Sequence, residues 1–454
     1  MRFLVRLLVL GGGLLAVAPV SAIELWRSGE RSVQWSGSIR ELVTTSNATD
    51  GTRFRDHAVA AGPSCALAEL FPDCPAFQVV GDRDVWQSLT RLRQRLYIDA
   101  GAGWSGTFVY DNELRVGILD RFGRGTAGQP DTFLGLEDEI HAFGIKDDAS
   151  HRQWRHLMYR AFVRYEGEHV EMTAGRQRIA WGVGRLWNPI DRFNAIGPLA
   201  IEADQSVGID ALEARWLLSD FDSLQVVYAP GTRSEDARYA LRFDGVLRNT
   251  DVGVMAGIFE QARTFGVDLA GNLGDAAWRV EAVYTNPERD VWEIGWDAPR
   301  ELDRFWQVVI SLDYNFDIGN GVYFLVEHLY DGNALGFGEG EAGALLPLFE
   351  ATEGPFAPVV QPVSSSRFGG SGVVSSARHT TGVQLSTDLT SVVNGSLLVL
   401  HDWNGGSSAF FPSLSFTGFN SVELTVGAQL FAGPRLSQFG EAQALVYGLV
   451  EYFF

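Results

Sequence analysis

Apolar and polar side chains alternate with a period of two along most of this chain, the period of a β-strand, and runs at the helical period are few. The C-terminal segment places Ala442, Ala444, Val446, Gly448, Val450, Tyr452 and Phe454 on one face. The segment before it places Val422, Leu424, Val426, Ala428 and Leu430 on one face, with Glu423, Thr425 and Gln429 on the other. Trp306, Val308, Ile310, Leu312 and Tyr314 alternate with Gln307, Ser311 and Asp313. The pattern predicts strands near 32–43, 88–103, 106–119, 153–166, 168–181, 206–218, 221–230, 236–246, 250–260, 263–273, 276–286, 302–315, 319–331, 376–389, 393–404, 408–417, 420–432 and 440–454. Fifty-one glycines and 12% aromatic residues suit a chain built of many short strands and turns.

Alternation alone fits a soluble sandwich as well as a membrane barrel, and connector length separates the two. After even-numbered strands the connectors are short, as at Gly103-Trp104-Ser105, Gly167, Ser219-Asp220, Arg248-Asn249, Gly274-Asp275, Phe316-Asp317-Ile318 and Phe419. After odd-numbered strands come most of the long ones, near 44–87, 120–152, 182–205, 287–301 and 332–375. Short turns at one end and long loops at the other are the two sides of an outer-membrane barrel. The expectation is an all-β, antiparallel, up-and-down transmembrane β-barrel of about 16–18 strands, occupying 23–454 as one domain.

The first residues set the compartment. Met1-Arg2 and Arg6 form a basic start, Leu7 to Val17 an apolar stretch too short to stop in a membrane, and Val20-Ser21-Ala22 a small-residue cleavage site. Residues 1–22 thus read as a signal peptide, and no later run is long enough for a membrane helix. The only cysteines, Cys65 and Cys74, close a small disulfide loop in an oxidising periplasm or, on the rival reading, hold a metal. No histidine nearby completes a metal set, so no metal and no cofactor are expected. Phe454, with Tyr452 two before it, ends an alternating strand in the manner read by the outer-membrane assembly machinery.

The formal net charge of −20 suggests an acidic protein, but its distribution matters more. Acid gathers in loop stretches such as Glu137-Asp138-Glu139, Lys146-Asp147-Asp148 and Glu288 to Asp297. These read as a solvated face or as cation bridges to lipopolysaccharide. On the second strand Arg91, Arg93 and Arg95 share one face, opposite Leu92, Leu96, Ile98 and Ala100. Three arginines turned to lipid would cost on the order of 6–12 kcal/mol, so that face points to the lumen. Parity likewise sends Arg160 and Arg164 inward, opposite Tyr159, Ala161 and Val163. Arg115, Arg215, Arg238, Arg242 and Arg279 follow, joined by Asp111, Glu113, Glu213, Asp244 and Glu281. A column of arginines two apart repels itself, so it calls for carboxylates across the lumen or for anionic solutes. Changing Arg91, Arg93 and Arg95 together to Gln is expected to keep the fold and to move selectivity towards cations.

One segment carries a resemblance. Gly175-Arg176-Gln177-Arg178-Ile179-Ala180-Trp181-Gly182, then Trp187-Asn188-Pro189-Ile190-Asp191-Arg192-Phe193, resembles a hallmark of porin-like outer-membrane families, alginate-export-type porins among them. The likeness covers about a twentieth of the chain at motif level, and no substrate carries over with it. As the third long loop, the segment is expected to fold inward as a constriction, with Trp181, Trp187, Asp191 and Arg192 as its candidate residues. Strict alternation would leave Arg176 and Arg178 on the lipid side. Either Gly175 marks a bulge that returns them inward or the strand ends there.

The function expected is an outer-membrane channel passing small polar or anionic solutes, acidic saccharides included, through an arginine-lined lumen. The alternative is a structural, adhesive or plugged barrel acting through its long loops. The chain has no Gly-x-Ser-x-Gly and no His-Glu-x-x-His, and its eight histidines are scattered, so an enzyme is not expected. The expected partners are outer-membrane lipid, lipopolysaccharide, the assembly machinery and small solutes, with no nucleic acid.

Overall fold

The computed structural model describes residues 22–47, 84–117, 139–143, 151–194, 198, 201, 208–231, 237–259, 262–287, 292–294, 299–301, 304–334, 377–434, 437–439 and 444–454. The expected leader up to residue 21, Cys65, Cys74 and the side chain of Arg115 lie outside the described residues, as do most of the acidic loop stretches.

The strands are β1 (Ile23–Ser28), β2 (Arg31–Asn47), β3 (Asp84–Gly101), β4 (Trp104–Gly117), β5 (Glu139–Phe143), β6 (His151–Glu166), β7 (Val170–Gln177), β8 (Ile209–Leu217), β9 (Ser223–Ala229), β10 (Arg238–Leu247) and β11 (Thr250–Phe259). They continue as β12 (Ala262–Leu273), β13 (Ala276–Pro287), β14 (Trp292–Ile294), β15 (Pro299–Glu301), β16 (Phe305–Phe316), β17 (Val322–Asp331), β18 (His379–Thr390), β19 (Val393–Asp402), β20 (Ser407–Phe419), β21 (Val422–Ala432) and β22 (Leu445–Phe453). Eighteen of them form a closed antiparallel ring, running from β2 to β22 with β1, β5, β14 and β15 outside it. Each of the eighteen has its counterpart among the strands expected from the alternation. The four additions are short: β1 folds back on the start of β2, β5 lies along the start of β6, and β14 pairs with β15.

Closure runs through the chain end. β22 pairs with β21 on one side and with β2 on the other, so the ring has no open edge. The last residue completes the seam. Phe454 exchanges backbone hydrogen bonds with Gly37 at 2.8 and 2.9 Å, and its ring lies 5.1 Å from that of Trp35.

The two faces of the wall have the polarity of a membrane barrel. On β16, Trp306, Ile310 and Leu312 point outward, Ile310 with 56% of its surface exposed, while Gln307 and Ser311 are buried inside. A soluble sandwich would reverse this. Outward aromatic pairs mark both rims: Trp104 with Tyr165, and Tyr314 with Phe316, at the short-turn end; Tyr228 with Tyr239, and Tyr284 with Trp306, at the loop end.

Two local expectations change. Pairing of β4 with β6 shifts register between Val109 and Tyr110, so that Val109 meets Arg160 and Tyr110 meets Met158. Tyr159, the extra residue of that bulge, is buried under Arg93 instead of lying on the lipid face with Ala161 and Val163. No bulge occurs at Gly175: β7 runs in unbroken register as far as Arg176 against β6 and as far as Gln177 against β8. Arg176 is therefore not returned inward. It is fully buried at the point where β6 leaves β7, forking onto Asp210 at 3.1 Å and donating to the Met158 carbonyl at 2.9 Å.

Candidate constriction loop and arginine wall

Past Gln177 the chain leaves the wall and folds into the barrel. Its apolar side chains seat it. Ile179, Trp181, Ile190 and Phe193 pack with Ile209, Ala211, Val227, Met255, Phe259 and Val283 of the inner wall. Leu186 and Trp187 pack further round the ring on Val309, Leu325, Leu329 and Leu400. Burying these six side chains stabilises the seat by about 9–18 kcal/mol. The inner wall from β8 to β20 is thus partly apolar, where a polar, wet face was expected throughout. The loop covers it.

Six backbone N–H groups of the loop are then held by two wall carboxylates. Glu281 on β13 accepts from Val183 at 2.5 Å, Gly184 at 2.6 Å and Ile190 at 3.2 Å. Glu327 on β17 accepts from Arg185 at 2.9 Å, Leu186 at 2.8 Å and Trp187 at 2.7 Å. Both glutamates are fully buried, and these contacts replace the water that a loop backbone would otherwise need. The segment has little room. A Cβ at Gly184 would stand 1.9 Å from the Trp187 carbonyl oxygen, and one at Gly382 on the wall 2.2 Å from Leu186 Cδ1. Gly382→Ala is therefore expected to push Leu186 out of its seat and raise channel conductance, while a variant with unchanged conductance and thermal stability would refute that seating.

The four constriction candidates act as anchors. Trp181, Trp187, Asp191 and Arg192 are all buried. Trp181 Nε1 donates to Gln225 at 2.8 Å, and Arg192 donates to Thr285 at 3.1 Å and Gln307 at 3.0 Å. Asp191 accepts from the amides of Phe193 at 3.1 Å and Asn194 at 2.8 Å, closing the turn. Burial pushes the Asp191 carboxyl up to about 6 against the pull of those two amides. Its raised value favours the protonated, folded state, so its charged form weakens the seat above that pH and leaves it unaffected below the ordinary carboxylate range. Asp191→Asn, which keeps an acceptor for both amides, should raise the melting temperature at pH 8 and leave it unchanged near pH 3.5. Equal shifts at both values would contradict this. Among the described residues the charged side chains that the loop leaves exposed are Arg178 and Arg185, and the second was not singled out in the sequence.

The arginines on the inner face find partners on their own or neighbouring strands instead of across the lumen. Arg91 donates to Glu113 at 2.7 Å, and Arg93 forks onto Asp111 at 2.7 and 2.6 Å. The Arg93 guanidinium lies 3.7 Å from the centre of the Tyr159 ring and that of Arg160 5.0 Å from it. Arg164 reaches Glu166 at 3.0 Å and Glu171 at 3.1 Å. Arg242 forks onto Asp268 at 2.8 and 2.9 Å and touches Asp244, while Arg279 pairs with Asp313. Arg215 stands opposite Gln225, which donates to Glu213 at 2.6 Å. Across the seam, Arg40 bonds Glu451 at 2.8 Å. Arg95 is exposed beside that pair, in a cavity of about 370 Å³ that it lines with Arg40, Arg93, Glu423, Glu451 and Phe453.

Eighteen antiparallel strands closed end to end have counterparts among solved structures. The fold is that of the outer-membrane porins. OccAB1 of Acinetobacter baumannii is similar over 96% of this chain and 99% of its own, at 7% identity and a TM-score of 0.53. OccK5 (OpdH) of Pseudomonas aeruginosa is similar over 92% of this chain and 97% of its own, at 6% identity and a TM-score of 0.50. At such identities the likeness to these porins is one of fold alone. No family model and no curated relative matches the chain.

Proposed function

We propose that this protein is an outer-membrane porin-like channel in which small polar solutes, anions favoured, pass between the inward loop and the arginine-bearing wall. The observation that carries this reading is the division of the ring. The loop is seated on the inner wall from β8 to β20, and its exposed charged side chains among the described residues, Arg178 and Arg185, are cationic. The remaining wall, across the β2–β22 seam, carries Arg95 exposed beside the cavity. Most wall arginines are neutralised by an adjacent carboxylate, so the anion preference rests on Arg95, Arg178 and Arg185 set against Glu423, which is exposed in the same cavity as Arg95. Fixed positive charge lining a narrow passage raises the local anion concentration. In this reading the aromatic rims sit at the two lipid interfaces, the long loops face lipopolysaccharide, and Phe454 serves both the seam and recognition by the assembly machinery.

Liposome swelling tests the reading. Glucuronate is expected to enter proteoliposomes faster than glucosamine at low salt, with arabinose between them. Replacing Arg95, Arg178 and Arg185 together by Gln should abolish that order, most clearly at low ionic strength, where screening is weak. Entry no faster than into protein-free liposomes would sink the channel and leave a barrel that acts through its loops.

A further inference from the structure

We propose that His328 and His379 form a two-histidine site for a borderline divalent cation of the zinc, nickel or copper class, on the outer face of the barrel near its loop-side rim. His328, Thr381, His401 and Ser408 pair in register and form one lateral row across β17 to β20. The row next to it, nearer the short-turn end, is Val326, Val383, Val399 and Phe410, an apolar face. Imidazoles therefore interrupt the outer wall where its apolar band ends.

The pair is close and its rings are held. His328 Nε2 lies 3.3 Å from His379 Nδ1. Two imidazole nitrogens bound to one tetrahedral zinc at about 2.0–2.1 Å stand roughly 3.3–3.4 Å apart. The Thr381 hydroxyl touches His328 Nδ1 at 2.9 Å and accepts from Trp403 Nε1 at 2.7 Å. As a hydroxyl it can donate to Nδ1 or accept from it. His328 can therefore carry its proton on Nδ1 and offer the Nε2 lone pair to a cation without losing its orienting bond. His379 packs on Tyr330 with ring centres 5.3 Å apart, and Asn404 and Trp403 bond its backbone amide and carbonyl at 2.9 and 3.0 Å. It can offer Nδ1 once its proton sits on Nε2, so binding leaves both rings neutral. Among the described residues no group of three or more ligating side chains occurs, so water completes the coordination. Imidazole nitrogen suits zinc, nickel and copper and not the harder magnesium or calcium.

Calorimetric titration of zinc sulfate into the tag-free protein in detergent at pH 7.5 tests the site. The expected result is one equivalent bound, weakened at least ten-fold by His328→Ala and by His379→Ala alike. Thr381→Val should weaken it several-fold, because it removes only the orienting bond. Heat-modifiable migration checks that each variant folds, and bilayer conductance should be the same in all of them. Zinc-edge absorption on the wild type should show two imidazoles in the inner shell. An isotherm shared by wild type and the double alanine variant, or an inner shell without imidazole pairs, overturns the proposal.

Discussion

Changing Glu281 and Glu327 together to Gln should raise single-channel conductance by about two-fold and add rapid current flicker, with the barrel still folded. Each carboxylate uses both oxygens to hold three loop amides. A carboxamide keeps one acceptor oxygen and turns an NH₂ group towards backbone N–H groups that then lack a partner. Hydrogen bonds to a charged acceptor contribute about 1.5–3 kcal/mol each, so losing one or two per site costs roughly 3–12 kcal/mol over both. That is comparable with the apolar seat of about 9–18 kcal/mol under Ile179, Trp181, Leu186, Trp187, Ile190 and Phe193. The loop is therefore loosened to marginal stability but not expelled. Glu327→Gln alone should give a smaller rise, since the other carboxylate still holds Val183, Gly184 and Ile190. Unchanged conductance and noise in a folded double variant would show that the glutamates do not hold the loop.

The second large effect is on stability. Arg93→Gln should lower the temperature of heat-modified migration sharply, whereas Arg95→Gln should leave it within error. Arg93 is buried and forks onto Asp111, which has 1% of its surface exposed. Removing the guanidinium takes two short bonds from that carboxylate and leaves it Arg91 at 3.8 Å, at a cost approaching the roughly 3–5 kcal/mol of a broken buried pair. Asp111→Asn in the Arg93→Gln background should restore much of the loss, because the under-partnered buried charge is then gone. Arg95 is exposed, and its change should act on selectivity instead. The same ion pairs alter what is expected of the combined Arg91, Arg93 and Arg95 replacement: it should damage the fold before it reports on permeation. Equal melting temperatures for Arg93→Gln and wild type would refute the pairing.

The wall was legible because alternation is a local signal that each strand repeats. β16 shows it plainly, with Trp306, Ile310 and Leu312 outward and Gln307, Ser311 and Asp313 buried. Parity fails at Tyr159, because one bulge displaces a residue between faces and both faces accept a tyrosine. The inward fold of the loop was read from its place in the chain and its motif, but the roles inside it were not. Trp181 and Trp187 can line a pore or be buried beneath a loop, and the choice depends on what the facing wall offers. That wall carries a signal of its own. β17 has Leu325 and Leu329 on its inner face as well as Phe324 and Val326 on its outer one, a doubly apolar strand that needs cover on both sides. Glu327 between those leucines is the buried carboxylate that holds the loop. Its partners are backbone amides some 140 residues away in sequence, a pairing that carries no side-chain signature.

The central claim is an open passage beside a loop held by two glutamates, and planar-bilayer recording of the wild type tests it most directly. With a potassium chloride gradient near 0.1 M, the account predicts discrete, ohmic steps and a reversal potential on the anion side that shrinks as salt rises. A correctly folded, heat-modifiable barrel that inserts without conducting would contradict it.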